Sequence, residues 1–425
     1  MKARKPLVIF IPGLYSSTLE PTISSSCSQV EETPSSTPTP PVAATGGLSG
    51  CLRDKWNLPK SLLLSLMKGN RGHSGLTLPL TWSKDESGIY VQTKDDLEAL
   101  GCLKFVMIEL LRVLRTLHDN NFIELHEIVW DWRRSFEEAE ISIASKIASI
   151  CSEDARQATI LSHSTGAMLT WPTISKHPEW FSAWVNIAGC LLAGGNAFLA
   201  DFDHGWNKSF INVVSKEALF SFPGMYTYFP VKEQQHWEGV GESDYVAPDG
   251  SFHSWHDIDI HDIGTWEKFK IGIFAWKNGH VTEEERIHLK HCLATAKRFR
   301  QTRLMRDGIQ PHDPRFLDKD PSAYEHLKII CYGSSTRQTH SAYEVNMEDQ
   351  TMDVSKSKLT VSGDGTLITQ GWQTVPGGLI GEIVMAEEAS DHVTLVNDKK
   401  LHDILLDIFF AGDELKKASA ISLLK

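Results

Sequence analysis

Residues 158–171, ATILSHSTGAMLTW, constrain the fold of this 425-residue chain more than any other stretch. Ala158 to Leu161 read as a buried strand, a turn of small residues follows, and a helical segment begins behind it. Ser164 sits at the tip of the turn, with Ser162 two residues before it and Gly166 two after. A serine hydroxyl is a weak nucleophile unless a base takes its proton and the backbone holds its oxygen outward. A sharp strand-to-helix turn achieves that aim, and it needs small neighbours because strand and helix nearly touch there. The usual spacing is G-x-S-x-G, and here Ser162 stands at the first glycine.

The surrounding pattern supplies a sheet for that turn. Residues 5–13 form an apolar run ended by Pro12-Gly13, as expected of a strand buried on both faces. Leu103, Met107, Leu110, Leu114 and Leu117 repeat at helical spacing. HEIVWDWRRSF predicts a short strand ending at Trp130 or Asp131, followed by a helix over about 137–150. Behind the Ser164 unit, FSAWVNIAG reads as another strand. This β-α-β-α-β alternation implies a parallel sheet with helices on both faces. The rhythm stops at 200 and returns at LKIICYGSS. A two-stranded excursion near 342–362, GDGTL, a strand in IGEIVMA and SDHVTLVND then follow. A final helix carries Leu401, Ile404, Leu405, Ile408 and Phe409 on one face. The expected fold is an α/β-hydrolase fold, a mostly parallel sheet with excursions. Its core comprises 1–21, 97–199 and 323–425, and a cap spans 200–322. Residues 22–50 are a Ser/Thr/Pro-rich tract unable to bury a core of their own, so a disordered insertion is expected there.

In this fold the acid and base follow the nucleophile as Ser, then Asp or Glu, then His. Asp364 in GDGTL and His392 in SDHVTLVND supply that order, in loops at strand ends where an open parallel sheet places its crevice. Each residue alone has an ordinary reading, since Asp-Gly is a common turn pair and a histidine before a helix is often a cap. His163 is a poor base candidate because its side chain is expected to point away from the serine oxygen. Asp391 is expected to be solvated or to cap a helix. The backbone amide of Thr165 is one expected oxyanion donor. Tyr15, in PGLYSS after the first strand, is the other, with Leu14 as the alternative.

Composition narrows the partners. The formal charge of −12 opposes nucleic-acid binding and gives no general attraction to anionic lipid. Seven cysteines lie scattered without a C-x-x-C pair, so neither a zinc ribbon nor a redox motif is indicated. HSWHDIDIHDIG gathers His253, His256, Asp257, Asp259, His261 and Asp262, but at no standard metal spacing, and a solvated loop is expected. No metal and no cofactor are expected. The first apolar run is too short for a signal-peptide core, and no run approaches the ~20 residues of a membrane span. A cytoplasmic setting is therefore expected, with association to membrane surfaces left open.

KPLVIFIPGLYSSTLE, VWDWRRSF, SHSTGAMLTW, IICYGSSTRQT, GDGTL and DHVTLVN occur in the order seen in the lecithin:cholesterol acyltransferase family. The chain resembles that family, which includes phospholipid:diacylglycerol acyltransferases and the lysosomal phospholipase A2, from residue 5 to about 410. The resemblance implies a serine acyltransferase or phospholipase A. It would cleave a glycerophospholipid ester through an acyl-enzyme and pass the acyl group to a sterol, a diacylglycerol or water. Carried over, Ser164 is the nucleophile, Asp364 the acid, His392 the base, and Tyr15 with Thr165 the oxyanion hole. Residues 51–96 become a lid and membrane-contact region, with Cys51 and Trp56 near its start and SLLLSLMK touching either a lipid surface or the core. The resemblance further implies a buried ion pair for Arg133, and it favours an acyl-chain pocket lined by the aromatic segment 218–230 over burial of that segment in the cap core. The chain departs from the family at Ser162 and at Ala167, where a second glycine is common. Cys51 has no cysteine partner before Cys102, so no disulfide-tied lid is expected. A carboxylesterase or neutral-lipid lipase would use the same triad with another pocket, and a catalytically silent lipid-binding protein would keep only the fold.

Overall fold

The computed structural model describes residues 5–14, 17–21, 78–86, 88–94, 97–102, 107–153, 156–191, 199, 201–203, 206–208, 211–229, 231, 244–246, 252–254, 259–304, 313–342, 344–346, 351–353, 359–387 and 390–424. The tract 22–50, most of the expected lid, and Leu103 lie outside these residues.

Six strands build the central sheet: β1 (Leu7–Ile11), β2 (Glu124–Glu127), β3 (Ala158–His163), β4 (Phe181–Ile187), β5 (Lys328–Gly333) and β6 (Glu382–Met385). Their spatial order is β2-β1-β3-β4-β5-β6, and every pairing is parallel. Six main helices accompany them: α1 (Ile108–Asp119), α2 (Phe136–Glu153), α3 (Thr165–Lys176), α4 (Glu283–Phe299), α5 (Lys399–Phe409) and α6 (Glu414–Leu424).

The alternation of side chains along a strand explains why two helical layers are needed. Leu7, Ile9 and Ile11 of β1 join one apolar cluster with Phe136, Ile143 and Ile147 of α2 and Met168 and Ile174 of α3. Val8 and Phe10 join a second cluster with Leu110, Leu114 and Leu117 of α1 and Leu401, Leu405 and Phe409 of α5. A strand covered on both faces reads as an unbroken apolar run, which is what LVIFI shows.

Chain order and spatial order part company at β1, which lies between β2 and β3. Successive connections leave this strand toward opposite sides, so a crevice opens beyond its C-terminal end. Gly13 and Ser164 lie at that crevice.

Several expectations need correcting. β2 ends at Glu127, before Trp130, because β1, its only partner among the described residues, runs out at Ile11. One further bond, from Ile128 N–H to Phe10 O at 2.9 Å, closes the ladder. The excursion near 342–362 has four strands rather than two. Arg337–Ala342 pairs with Leu359–Gly363, and between them Glu344–Asn346 pairs with Thr351–Asp353. α5 is not the last helix, since α6 follows it and buries only Ala420. Of the two readings of segment 218–230, its described side chains show burial in the core. Leu219, Phe220, Phe222, Met225, Tyr226, Tyr228 and Phe229 are buried in the larger cluster, packed among Phe136, Phe202 and Trp266.

The insertion after β1 leaves the sheet undisturbed because its ends are paired: Ser17–Pro21 lies antiparallel to Leu97–Cys102. A hairpin of Trp82–Lys84 and Tyr90–Gln92 then docks on α4. Trp82 Nε1–H donates to His288 Nδ1 at 3.0 Å, and His288 Nε2 bonds the Phe220 carbonyl at 2.9 Å. Among the described residues no helix is long and apolar enough to cross a membrane.

Candidate active site

The turn between β3 and α3 places Ser164 at φ 53°, ψ −122°. This backbone region is costly for a residue with a Cβ, by about 1–3 kcal/mol, and persists only where its surroundings enforce it. The enforcement is steric. A Cβ on Gly166 would lie 2.5 Å from the Ile11 carbonyl oxygen, so α3 starts in contact with the end of β1. A Cβ on Gly13 would lie 2.8 Å from Ser164 Cβ and 3.0 Å from His163 Nδ1. Ala167 fits where a glycine is common because Gly189 faces it, a Cβ there meeting Ala167 Cβ at 2.4 Å.

Ser162, the departure from the usual spacing, is fully buried and accepts a 2.8 Å hydrogen bond from Trp184 Nε1–H. Its hydroxyl turns into the sheet rather than into the turn, which is how a side chain is accommodated there.

Ser164, Asp364 and His392 meet although 200 residues separate the first two. His392 Nε2 lies 2.8 Å from Ser164 Oγ, and His392 Nδ1 lies 2.7 Å from Asp364 Oδ2. All three are buried, Asp364 completely. The other carboxylate oxygen, Oδ1, accepts from the amides of Leu367 at 2.7 Å and Thr366 at 2.9 Å. A carboxylate holding two amides and an imidazole N–H is fixed in orientation. It also fixes the tautomer: with the proton on Nδ1, His392 presents a lone pair from Nε2 to the serine hydroxyl. A second contact ties base to acid, His392 N–H donating to the Asp364 carbonyl at 2.9 Å.

The remaining sequence candidates sort clearly. Thr165 is the first residue of α3, and the first amides of a helix lack partners within it and carry the positive end of its dipole. Tyr15 lies outside the described residues, and Leu14, the alternative, is the last described residue before it. Asp391 caps the turn after it, its Oδ1 accepting from the amides of Val393 at 3.0 Å and Thr394 at 2.8 Å. Arg133, fully buried, makes a two-pronged ion pair with the partly buried Asp131, Nε to Oδ1 at 3.0 Å and Nη2 to Oδ2 at 2.8 Å. Of the His- and Asp-rich run, Asp259 accepts from Lys297 Nζ at 2.8 Å and His261 is buried, while His256 and Asp257 lie outside the described residues.

Two contacts carry no signal in the sequence. The Tyr228 hydroxyl bonds Thr165 Oγ1, joining the aromatic segment to the head of α3. His163 Nε2 lies 3.1 Å from the carbonyl oxygen of His392. Burial pushes the His163 imidazole from 6.5 down to about 3, so it is neutral.

No family model and no curated protein sequence matches the chain. Among solved structures it is similar to the crystal structure of Bacillus megaterium epoxide hydrolase in complex with an inhibitor, at 11% identity and a TM-score of 0.28, over 70% of this chain and 88% of that one. The six-stranded parallel sheet, the strained serine between β3 and α3, and the Ser–Asp–His chain order together make this an α/β-hydrolase fold.

Proposed function

We propose that this protein is a serine-dependent O-acyltransferase or phospholipase A acting on glycerophospholipid esters. The observation that carries the reaction type is the continuous chain from Ser164 Oγ through His392 to Asp364, with both links under 3 Å. The lipid substrate class rests on the six ordered motifs, PGLYSS through DHVTLVN, that resemble the lecithin:cholesterol acyltransferase family.

His392 Nε2 removes the Ser164 proton as Oγ bonds to the ester carbonyl carbon. The carbonyl oxygen becomes an oxyanion beside the Thr165 amide at the positive end of α3. Asp364, bonded to Nδ1, stabilises the imidazolium. As the tetrahedral centre collapses, the ester C–O bond breaks and the departing lysophospholipid alcohol takes the proton from His392. The acyl-enzyme then meets an acceptor. His392 removes its proton, the acceptor oxygen bonds to the carbonyl carbon, and Ser164 leaves with that proton. A sterol or diacylglycerol acceptor makes the enzyme an acyltransferase, and water makes it a phospholipase. Contact with a lipid surface is transient in this proposal.

The test is incubation with mixed phospholipids plus sterol and diacylglycerol, with products read by mass spectrometry. Lysophospholipid together with acyl product or free fatty acid is expected from the wild type and not from Ser164→Ala. Equal product from both proteins would refute the proposal. Cleavage of simple or neutral esters with phospholipid untouched would reassign the site to a carboxylesterase or neutral-lipid lipase.

A further inference from the structure

The residue before the nucleophile holds the base as well. His163 ends β3, a strand paired on both sides, where it is in register with Ile187 of β4. Its ring lies 5.2 Å from that of His392, centroid to centroid, at 35°. A carbonyl oxygen only accepts, so the 3.1 Å contact to the His392 carbonyl requires the proton on His163 Nε2. The tautomer is thereby fixed, leaving Nδ1 as a bare lone pair. That atom is buried, has no hydrogen-bond partner among the described residues, and faces Gly13 at the head of the loop that follows β1.

Both main-chain polar groups of His392 are thus engaged. Its N–H goes to Asp364 and its carbonyl to His163. His392 is a loop residue at the start of the turn 392–394, which runs into the short helical turn Leu395–Asn397. Without the His163 contact, the His392 carbonyl loses that donor, and a buried carbonyl left unpaired is costly.

We propose that His163 is a positioning residue for the reaction assigned to Ser164, its Nε2–H holding the His392 carbonyl so that the imidazole stays on the line from Asp364 to the serine oxygen. The inference rests on the proposed serine chemistry. The neutral state of His163 serves the same end, because a second cation 5.2 Å away would oppose formation of the His392 imidazolium.

The test compares His163→Leu, which deletes the donor, with His163→Gln, whose side-chain amide can donate to the same carbonyl. Turnover of a short-chain p-nitrophenyl ester reports kcat and KM. The low-field proton resonance of the His392–Asp364 hydrogen bond reports the base independently of any activity, and urea unfolding checks that each variant is folded. Misplacing a catalytic group by about 1 Å costs up to about a hundredfold. The expected result is a ten- to hundredfold fall in kcat for His163→Leu with KM little changed and the resonance broadened or lost. His163→Gln should recover most of both.

A folded His163→Leu protein with wild-type kcat or an unchanged resonance would overturn the inference. So would a His163→Gln protein as impaired as His163→Leu. If the wild type turns over no ester, the proposed function fails, and the resonance in the variants still decides the positioning role. If His163→Leu does not fold, the resonance and kcat of His163→Gln decide it: loss of both in a folded protein overturns the inference.

Discussion

Restoring the glycine that the elbow spacing favours is expected to harm this protein. Ser162→Gly removes the hydroxyl that accepts the 2.8 Å bond from Trp184 Nε1–H. Both residues are fully buried, so no water replaces the lost acceptor. Leaving a buried donor unpaired costs about 1–3 kcal/mol. Glycine inside a strand costs roughly 0.5–1 kcal/mol more through its conformational freedom. The expected loss is thus about 2–4 kcal/mol of unfolding free energy. Ser162→Ala should lose only the first part, about 1–3 kcal/mol. The triad geometry depends on Ser164, Asp364 and His392, and the Ser162 hydroxyl points away from all three. Serine labelling by a fluorophosphonate, measured per folded molecule, should therefore stay within about threefold of wild type. Urea unfolding of the three proteins supplies the free energies. A Ser162→Gly protein as stable as wild type, or more stable, would refute the role given to the Ser162–Trp184 bond. A large gain in labelling would mean that Ser162 obstructs the turn after all.

Asp364→Asn should lower kcat on the order of 10⁴-fold while the protein stays folded, because the amide no longer fixes the His392 tautomer; ester turnover near wild type would contradict the site. Gly166→Ala should prevent stable folding or cost more than ~3 kcal/mol, since its Cβ would lie 2.5 Å from the Ile11 carbonyl and neither backbone can give way; an unchanged urea midpoint would contradict the packing of α3 on β1. Burial holds His163 near 3 and His288 near 4, against 6.5 in the unfolded chain, and lowers His261 in the same direction. Below pH 6.5 the unfolded state therefore binds more protons, so stability is full above that pH and falls as pH drops toward 4 and 3. At pH 5, His163 and His288 each remove about 2 kcal/mol, and His261 adds to the loss. Unfolding free energies equal at pH 7 and pH 5 would contradict that burial.

The parts legible in the sequence were those fixed by local pattern. LVIFI and ATILSH announce strands buried on both faces, and the amphipathic helices announce the faces they cover. Ser164, Asp364 and His392 were legible because chain order in this fold follows the order of strand-end loops. What stayed hidden depends on side chains that meet through the sheet or across elements. The hydroxyl of Ser162 finds Trp184 on the neighbouring strand, and no spacing within one segment encodes that contact. Tyr228 reaches Thr165 from the far side of the excursion after β4, and no spacing within the aromatic segment encodes that contact. α6 escaped because Leu415 and Leu423 face solvent and leave no apolar stripe. The end of β2 was misplaced because Ile128, Val129 and Trp130 continue the apolar pattern beyond the partner strand. Trp130 is held instead by its indole N–H donating to the Pro12 carbonyl at 2.9 Å.

The central claim is that Ser164 is the nucleophile and His392 its base. Reaction with a fluorophosphonate, followed by intact-mass measurement and peptide mapping, tests this directly. The account predicts one adduct, on the peptide containing Ser164, absent from Ser164→Ala and strongly slowed in His392→Ala. A folded wild-type protein that takes no label, or a Ser164→Ala protein that takes as much, would contradict it.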